Sequence, residues 1–134
     1  MLVAMTQSGE TVKRTTLSRS DCVSLLERSD LARVVISVKC LPAALPARIA
    51  VVGDHLVLAS PEDAVLLAAR RSEVLSVQID GLDADGATWS VMASGIARGA
   101  APDEPPTPSL RDAVARGAGI IELPLTVVVG ERVG

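Results

Sequence analysis

Apolar residues in this chain gather into short, β-branched runs divided by turn-forming residues, the pattern of pleated strands. Val34-Val35-Ile36-Ser37-Val38 is the plainest run and predicts a strand from Leu31 to Lys39. A turn at Leu41-Pro42 leads to a second strand, Ala44 to Val52. Val51-Val52-Gly53-Asp54-His55-Leu56-Val57-Leu58 then sets Gly-Asp between two apolar runs, the signature of a tight hairpin. Val74 to Leu82 alternates, with Gln78 and Asp80 on one face and Val77 and Ile79 between them. Asp83 to Gly86 makes a further hairpin turn, and Thr88 to Arg98 returns as a strand. Ile120 to Val129 is expected as one long final strand, in which Pro124 implies an edge or a bulge.

Three short helices are predicted beside these strands. Ser18 or Ser20 can cap one running to about Arg28, with Cys22, Leu25 and Leu26 on one face. Ser60-Pro61-Glu62-Asp63 offers an N-cap, a proline at the first helical position and an acidic first turn. The helix it starts reaches about Arg71 and buries Ala64, Leu67 and Ala68 or their neighbours. Ala101 to Pro108 is proline-rich and acidic and reads as a surface loop. Ser109 can cap the last helix, Leu110 to Arg116, which Gly117 ends. Residues 1–16 lack periodicity and are expected as a loose N-terminal arm, leaving residues 17–134 as the domain. Strands joined by hairpins with so little helix predict a mainly β fold: six antiparallel strands in a closed or nearly closed barrel.

Composition constrains the interior. At 134 residues the chain fits one domain, and 49% apolar content is ample for a core. With no Phe, no Tyr and a single Trp, that core must be built from Val, Leu, Ile and Ala. A mean hydropathy of +0.39 is high for a soluble monomer, so part of the apolar surplus is expected at a homodimer interface. Net charge −3 and the missing aromatics argue against a nucleic-acid partner. No apolar run approaches the roughly 20 residues of a membrane span, and the first residues lack a signal-peptide pattern, so the cytoplasm is the expected compartment. Cys22, Cys40 and His55 are too few for an ordinary metal site. The two thiols are expected to be free and buried, with a disulfide or a reactive Cys as the alternatives. His55, next to the hairpin turn, is expected as a solvated turn residue, and no Cys/His or Ser/His/Asp nucleophile system stands out.

In order and spacing, several local motifs add a resemblance. They are Ala32-Arg33-Val34, Leu45-Pro46-Ala47, the Gly53-Asp54 hairpin, Trp89-Ser90-Val91 followed by Gly95 and Ala97, and Val129-Gly130-Glu131-Arg132. Together they make residues 17–134 similar to the pyridoxamine 5′-phosphate oxidase-like, flavin-binding split-barrel family. The likeness is strongest to its small actinobacterial and nitroimidazole-resistance-type members. The resemblance implies a six-stranded antiparallel split β-barrel and a homodimer with FMN at the subunit interface. It implies flavin-dependent redox chemistry on a small molecule; some similar proteins prefer a deazaflavin or bind haem.

In the family pattern the strand after the hairpin ends in Thr or Ser, followed by Gly and then Lys, and this region holds the flavin phosphate. Ser60 falls on the Thr/Ser position, but Asp63, Ala64 and Val65 stand where the Gly and Lys would be, with Glu62 adjacent. A helix N-terminus attracts phosphate, whereas two carboxylates in the first turn repel it by roughly 1 kcal/mol per charge pair at about 5 Å where water surrounds the pair, and by more if partly buried. Replacing Glu62 by Gly and Val65 by Lys is therefore expected to raise FMN affinity. Arg48, Ser60, Arg70, Trp89 and Ser90 are the candidate cofactor-binding residues. Arg70 and Arg71 equally suit the negative end of their helix, and Arg48 is either a solvent-facing strand residue or a cofactor or dimer contact. Trp89 either lines the pocket or packs in the core. No catalytic acid or base is evident, which suits chemistry carried by a cofactor. The alternative is a non-catalytic split-barrel module that has lost its flavin and serves in binding, regulation or assembly.

Overall fold

The computed structural model describes residues 2–5, 11–100 and 104–134. In chain order the elements are β1 (Leu2–Met5), β2 (Thr11–Thr16), α1 (Arg19–Glu27), β3 (Leu31–Val38), β4 (Leu41–Val52) and β5 (His55–Ser60). They continue with α2 (Asp63–Arg70), β6 (Val74–Leu82), β7 (Thr88–Ile96), β8 (Arg98–Gly99), α3 (Pro108–Ala115), β9 (Gly119–Pro124) and β10 (Val127–Val133). All strands join one antiparallel sheet in the order β1-β2-β10-β7-β6-β3-β4-β5-β9-β8.

The sheet is strongly coiled. Strands β7 and β9 are not hydrogen-bonded neighbours, yet a Cβ built on Gly95 would lie 2.9 Å from the carbonyl oxygen of Pro124. That approach brings the two halves of the sheet together as a split barrel, and a side chain at position 95 would hold them apart. Its interior follows the period-two rule. Ala32 and Val34, Ala47 and Ile49, Leu56 and Leu58, and Leu75, Val77 and Ile79 all point inward and are buried. Val91 and Ala93, with Ile121 and Leu123, complete the lining, while α1 (Cys22, Leu26) and α2 (Val65, Ala68, Ala69) plug it. Burying each Leu, Ile or Val of this set is worth about 1.5–3 kcal/mol, so an aliphatic core suffices. On the outer face, α3 covers Ala50, Val57 and Ala59 with Leu110 and Ala113.

The Ser18 side chain accepts from Asp21 N–H at 3.1 Å and caps α1. Ser60 does not cap α2: the N-cap is Glu62, and Ser60 is the last residue of β5. Thr107 rather than Ser109 caps α3, accepting from Leu110 N–H at 3.2 Å, with Pro108 in its first turn. In α2, Val65, Ala68 and Ala69 face the core and Leu67 is exposed.

Three expectations give way. The final strand is not continuous: it breaks between Pro124 and Val127, so β9 pairs with β5 while β10 pairs with β7. The break is fixed from a distance, because Leu125 N–H donates to Asp54 O at 2.8 Å and buried Leu125 turns into the core. In the segment expected as a loose arm, residues 11–16 form β2 against β10, and β1 pairs with β2. The sheet therefore has ten strands where six were expected. Of the proline-rich loop, residues 101–103 lie outside the described residues, and Pro108 already belongs to α3.

Candidate functional site: the open outer face of the barrel

Side chains opposite the core form a cross-strand grid on β10, β7, β6, β3 and β4. One row runs Val127, Ser94, Ser76, Val35, Ala44, and the next Val129, Met92, Gln78, Arg33, Pro46. A third contains Glu131, Ser90 and Asp80. Ser76 and Ser94 share a 2.7 Å hydrogen bond across the grid. Three clefts follow one another over this face. One of about 390 Å³ lies over Ser90, Met92, Val129 and Gln78, and one of about 280 Å³ over Gln78, Arg33, Pro46 and Leu31. The last, also about 280 Å³, starts at Leu31 and Pro46 and ends under α3 at Arg48, Arg116 and Pro61. They adjoin at Gln78 and at Leu31 and Pro46 and run as one row along the face, the outer-face groove, with carboxylates Asp80 and Glu131 toward β10 and cations Arg33, Arg48 and Arg116 toward α3. Leu31, Val74, Ile96, Val127 and Val129 stand exposed on the same face.

At the cationic end Arg48 Nη1 donates to Asp112 Oδ2 at 2.9 Å and to Ser109 O at 3.1 Å, and Arg116 Nε donates to the same Asp112 oxygen at 3.1 Å. The hydrogen bond from Arg48, then that from Arg116, holds the Asp112 carboxyl below the usual carboxylate range. Sequence reasoning missed Arg116. Its available signal was the i, i+4 spacing from Asp112 in a helix ending at Gly117, whose φ is +101°.

The five residues singled out from sequence do not converge. Arg48 and Ser90 both face the groove, at opposite ends. Ser60 is 0% exposed: it points inward with Leu56 and Leu58, and its Oγ accepts from Glu62 N–H at 3.1 Å. Its neighbours Ala59 and Pro61 line the groove instead. Trp89 lies on the core side of β7, above Gly81, in a separate cleft with Leu25, Arg28 and Arg132. Arg70 is exposed at the C-terminal end of α2, outside these clefts. Val65 is fully buried, so a lysine there could not reach a phosphate at the surface.

His55 is the first residue of β5 rather than a free turn residue. It contacts Asp54 Oδ1 through Nδ1 at 2.6 Å and Arg98 through Nε2 at 3.1 Å, while Arg98 pairs with Glu122. Cys22 is buried and Cys40 exposed in the β3–β4 turn; both are free, so only one thiol matches the expectation. Burial, with Asp21 adding to it, pushes the Cys22 thiol up. Among the described residues no three His, Cys, Asp or Glu side chains converge as a metal site requires, and no helix is long and apolar enough to cross a membrane.

The groove suits a flavin with its phosphate under α3, at the end where Pro61, next to the α2 N-cap Glu62, also lines the cleft. Arg48 and Arg116 would meet the phosphate there, and Gln78 and Ser90 could hydrogen-bond ring edges over Met92 and Val129.

Known proteins agree with this architecture. The chain is similar in structure to an FAD-binding protein of Mycobacterium smegmatis: 24% identity, 90% of this chain and 98% of that one covered, TM-score 0.66. It is similar to an FAD-binding protein of Mesorhizobium loti, with 19% identity, 92% and 98% coverage and a TM-score of 0.71. A third neighbour is a candidate 5-nitroimidazole antibiotic resistance protein of Bacteroides thetaiotaomicron, with 16% identity, 92% and 89% coverage and a TM-score of 0.68. No curated protein matches significantly. The family model for pyridoxamine 5′-phosphate oxidase matches residues 18–115, from the α1 cap through α3. On that match, carried by most of the barrel, the chain belongs to the pyridoxamine 5′-phosphate oxidase family.

Proposed function

We propose that the chain is a homodimeric flavoprotein that binds a riboflavin phosphate, as FMN or within FAD, in the outer-face groove and performs redox chemistry on a small molecule. The observation that carries this reading is the row of adjoining clefts that leads from polar Ser90 and Gln78 to cationic Arg48 and Arg116. The flavin-binding proteins of the same fold support it. When bound, the flavin would supply the hydride chemistry; the protein's part is to hold the phosphate at Arg48, to fix the ring by hydrogen bonds and to exclude water. Exposed Leu31, Val74, Ile96, Val127 and Val129 on this face support a second copy packing over it, since homodimer interfaces are richer in apolar area than ordinary surface.

Titration of FMN, FAD and a deazaflavin, followed by fluorescence, separates the cofactors. Saturable binding of FMN or FAD is the expected result. Saturation by the deazaflavin alone would replace the flavin, and no binding of any would favour the non-catalytic module. Glu62 at the α2 N-cap is the observation that speaks for that second reading.

A further inference from the structure

Asp112 stands beside the cationic end of the groove, paired with two of the residues that line it. Its Oδ2 accepts from Arg48 Nη1 at 2.9 Å and from Arg116 Nε at 3.1 Å, so one oxygen bridges two guanidinium groups. The remaining N–H groups of both arginines have no protein acceptor among the described residues. Ala59, Ala113 and Ala118 wall the cleft beside them, small side chains that leave open volume in front of the cations. Asp112 itself is half exposed, so it can leave its partners without unfolding the helix.

We infer that Asp112 is a resident counter-ion that holds Arg48 and Arg116 at the spacing of a single oxyanion and is displaced when a ligand's phosphate enters the cleft. This deepens the flavin reading and rests on it for the identity of the ligand. A carboxylate carries one negative charge, whereas a phosphate monoester carries about 1.5 to 2 at neutral pH and three strong acceptor oxygens. Phosphate therefore wins the exchange, while a ligand lacking it cannot. Asp112 lowers the affinity for every anionic ligand by the same exchange, and so selects for groups of higher charge than a carboxylate.

The test uses inorganic pyrophosphate as the probe, followed by thermal shift at constant ionic strength. Asp112→Asn keeps an acceptor for the two arginines and removes the charge. The expected half-saturating concentration falls on the order of tenfold relative to wild type, the size of one close like-charge contact largely screened by water. Arg116→Gln is expected to raise it, as is Arg48→Gln in the Asp112→Asn background. Equal or weaker pyrophosphate binding by Asp112→Asn would overturn the inference, as would unchanged binding by Arg116→Gln. FMN and riboflavin run on the same variants separate the two claims. Pyrophosphate binding that responds to Asp112 while neither flavin binds would sink the flavin reading and leave the counter-ion standing. FMN binding indifferent to Asp112→Asn would do the reverse.

Discussion

The indole of Trp89 lies against Gly81, its partner across β6 and β7, so closely that a Cβ at position 81 would sit 2.5 Å from its Cζ2 atom. The only large aromatic of the chain thus fills the place of a missing side chain at the core end beside α1. Gly81→Val should push the ring out at a cost of about 1–3 kcal/mol, the usual penalty for overpacking. Near-ultraviolet circular dichroism and chemical denaturation would report it. A variant as stable as wild type would show that Trp89 does not depend on this contact. Flavin binding should survive the change, because Trp89 and Ser90 lie on opposite faces of β7.

Val65→Lys tests the placement of the phosphate. Val65 is fully buried among core residues, and an unpaired buried charge typically costs about 3–5 kcal/mol. Severe destabilisation with no gain in FMN affinity is expected, alone or with Glu62→Gly. A well-folded variant with tighter FMN binding would move the phosphate site back to the α2 N-terminus.

The two thiols should behave as differently as their surroundings. Cys40 is exposed and should react with an aromatic disulfide reagent in the native protein, whereas Cys22 should react only on unfolding. The Cys22 thiol is raised by burial and then by Asp21, so the folded state keeps its proton longer than the unfolded state does. Stability from this group is whole below the unfolded thiol value of about 8.5 and declines as pH rises past it. Melting temperature should therefore fall more steeply above that point in wild type than in Cys22→Ala. Parallel profiles would contradict the assignment.

Much of the fold was legible because it is local. β6 has the predicted limits of Val74 and Leu82, Gly53-Asp54 makes the predicted turn with Gly53 at φ +60°, and Ser18 caps α1. The errors fall where distant contacts decide. Ser60 carries every local mark of an N-cap, yet the strand register turns it inward and puts Ala59 on the groove. The mostly apolar stretch from Ile120 to Val129 hides a break set by Asp54, over 70 residues earlier. Alternation along β7 states that Trp89 and Ser90 face opposite ways, but not which of them meets the groove. The i, i+4 spacing ties Arg116 to Asp112, but only the docking of α3 onto β4 brings that pair to Arg48.

Exposed valines on β10 give the dimer its own test. Val127 and Val129 are 55% and 59% exposed beside Met92 and Ser94. Val129→Glu should convert a dimer to a monomer at micromolar concentration in light scattering, and should weaken flavin binding with it. A wild-type protein that is monomeric at that concentration would remove the second copy from the proposal.

Gln78 occupies the point where the clefts over β7 and β3 meet, which makes it the place to ask whether the outer face holds the flavin. The direct measurement is an FMN and FAD titration of wild type and of Gln78→Trp, a partly exposed position where an indole would fill the groove without entering the core. Saturable binding by wild type, abolished in a Gln78→Trp protein of unchanged melting temperature, is the predicted result. Equal binding by both proteins would place the flavin elsewhere, and no binding by wild type would contradict the proposal outright.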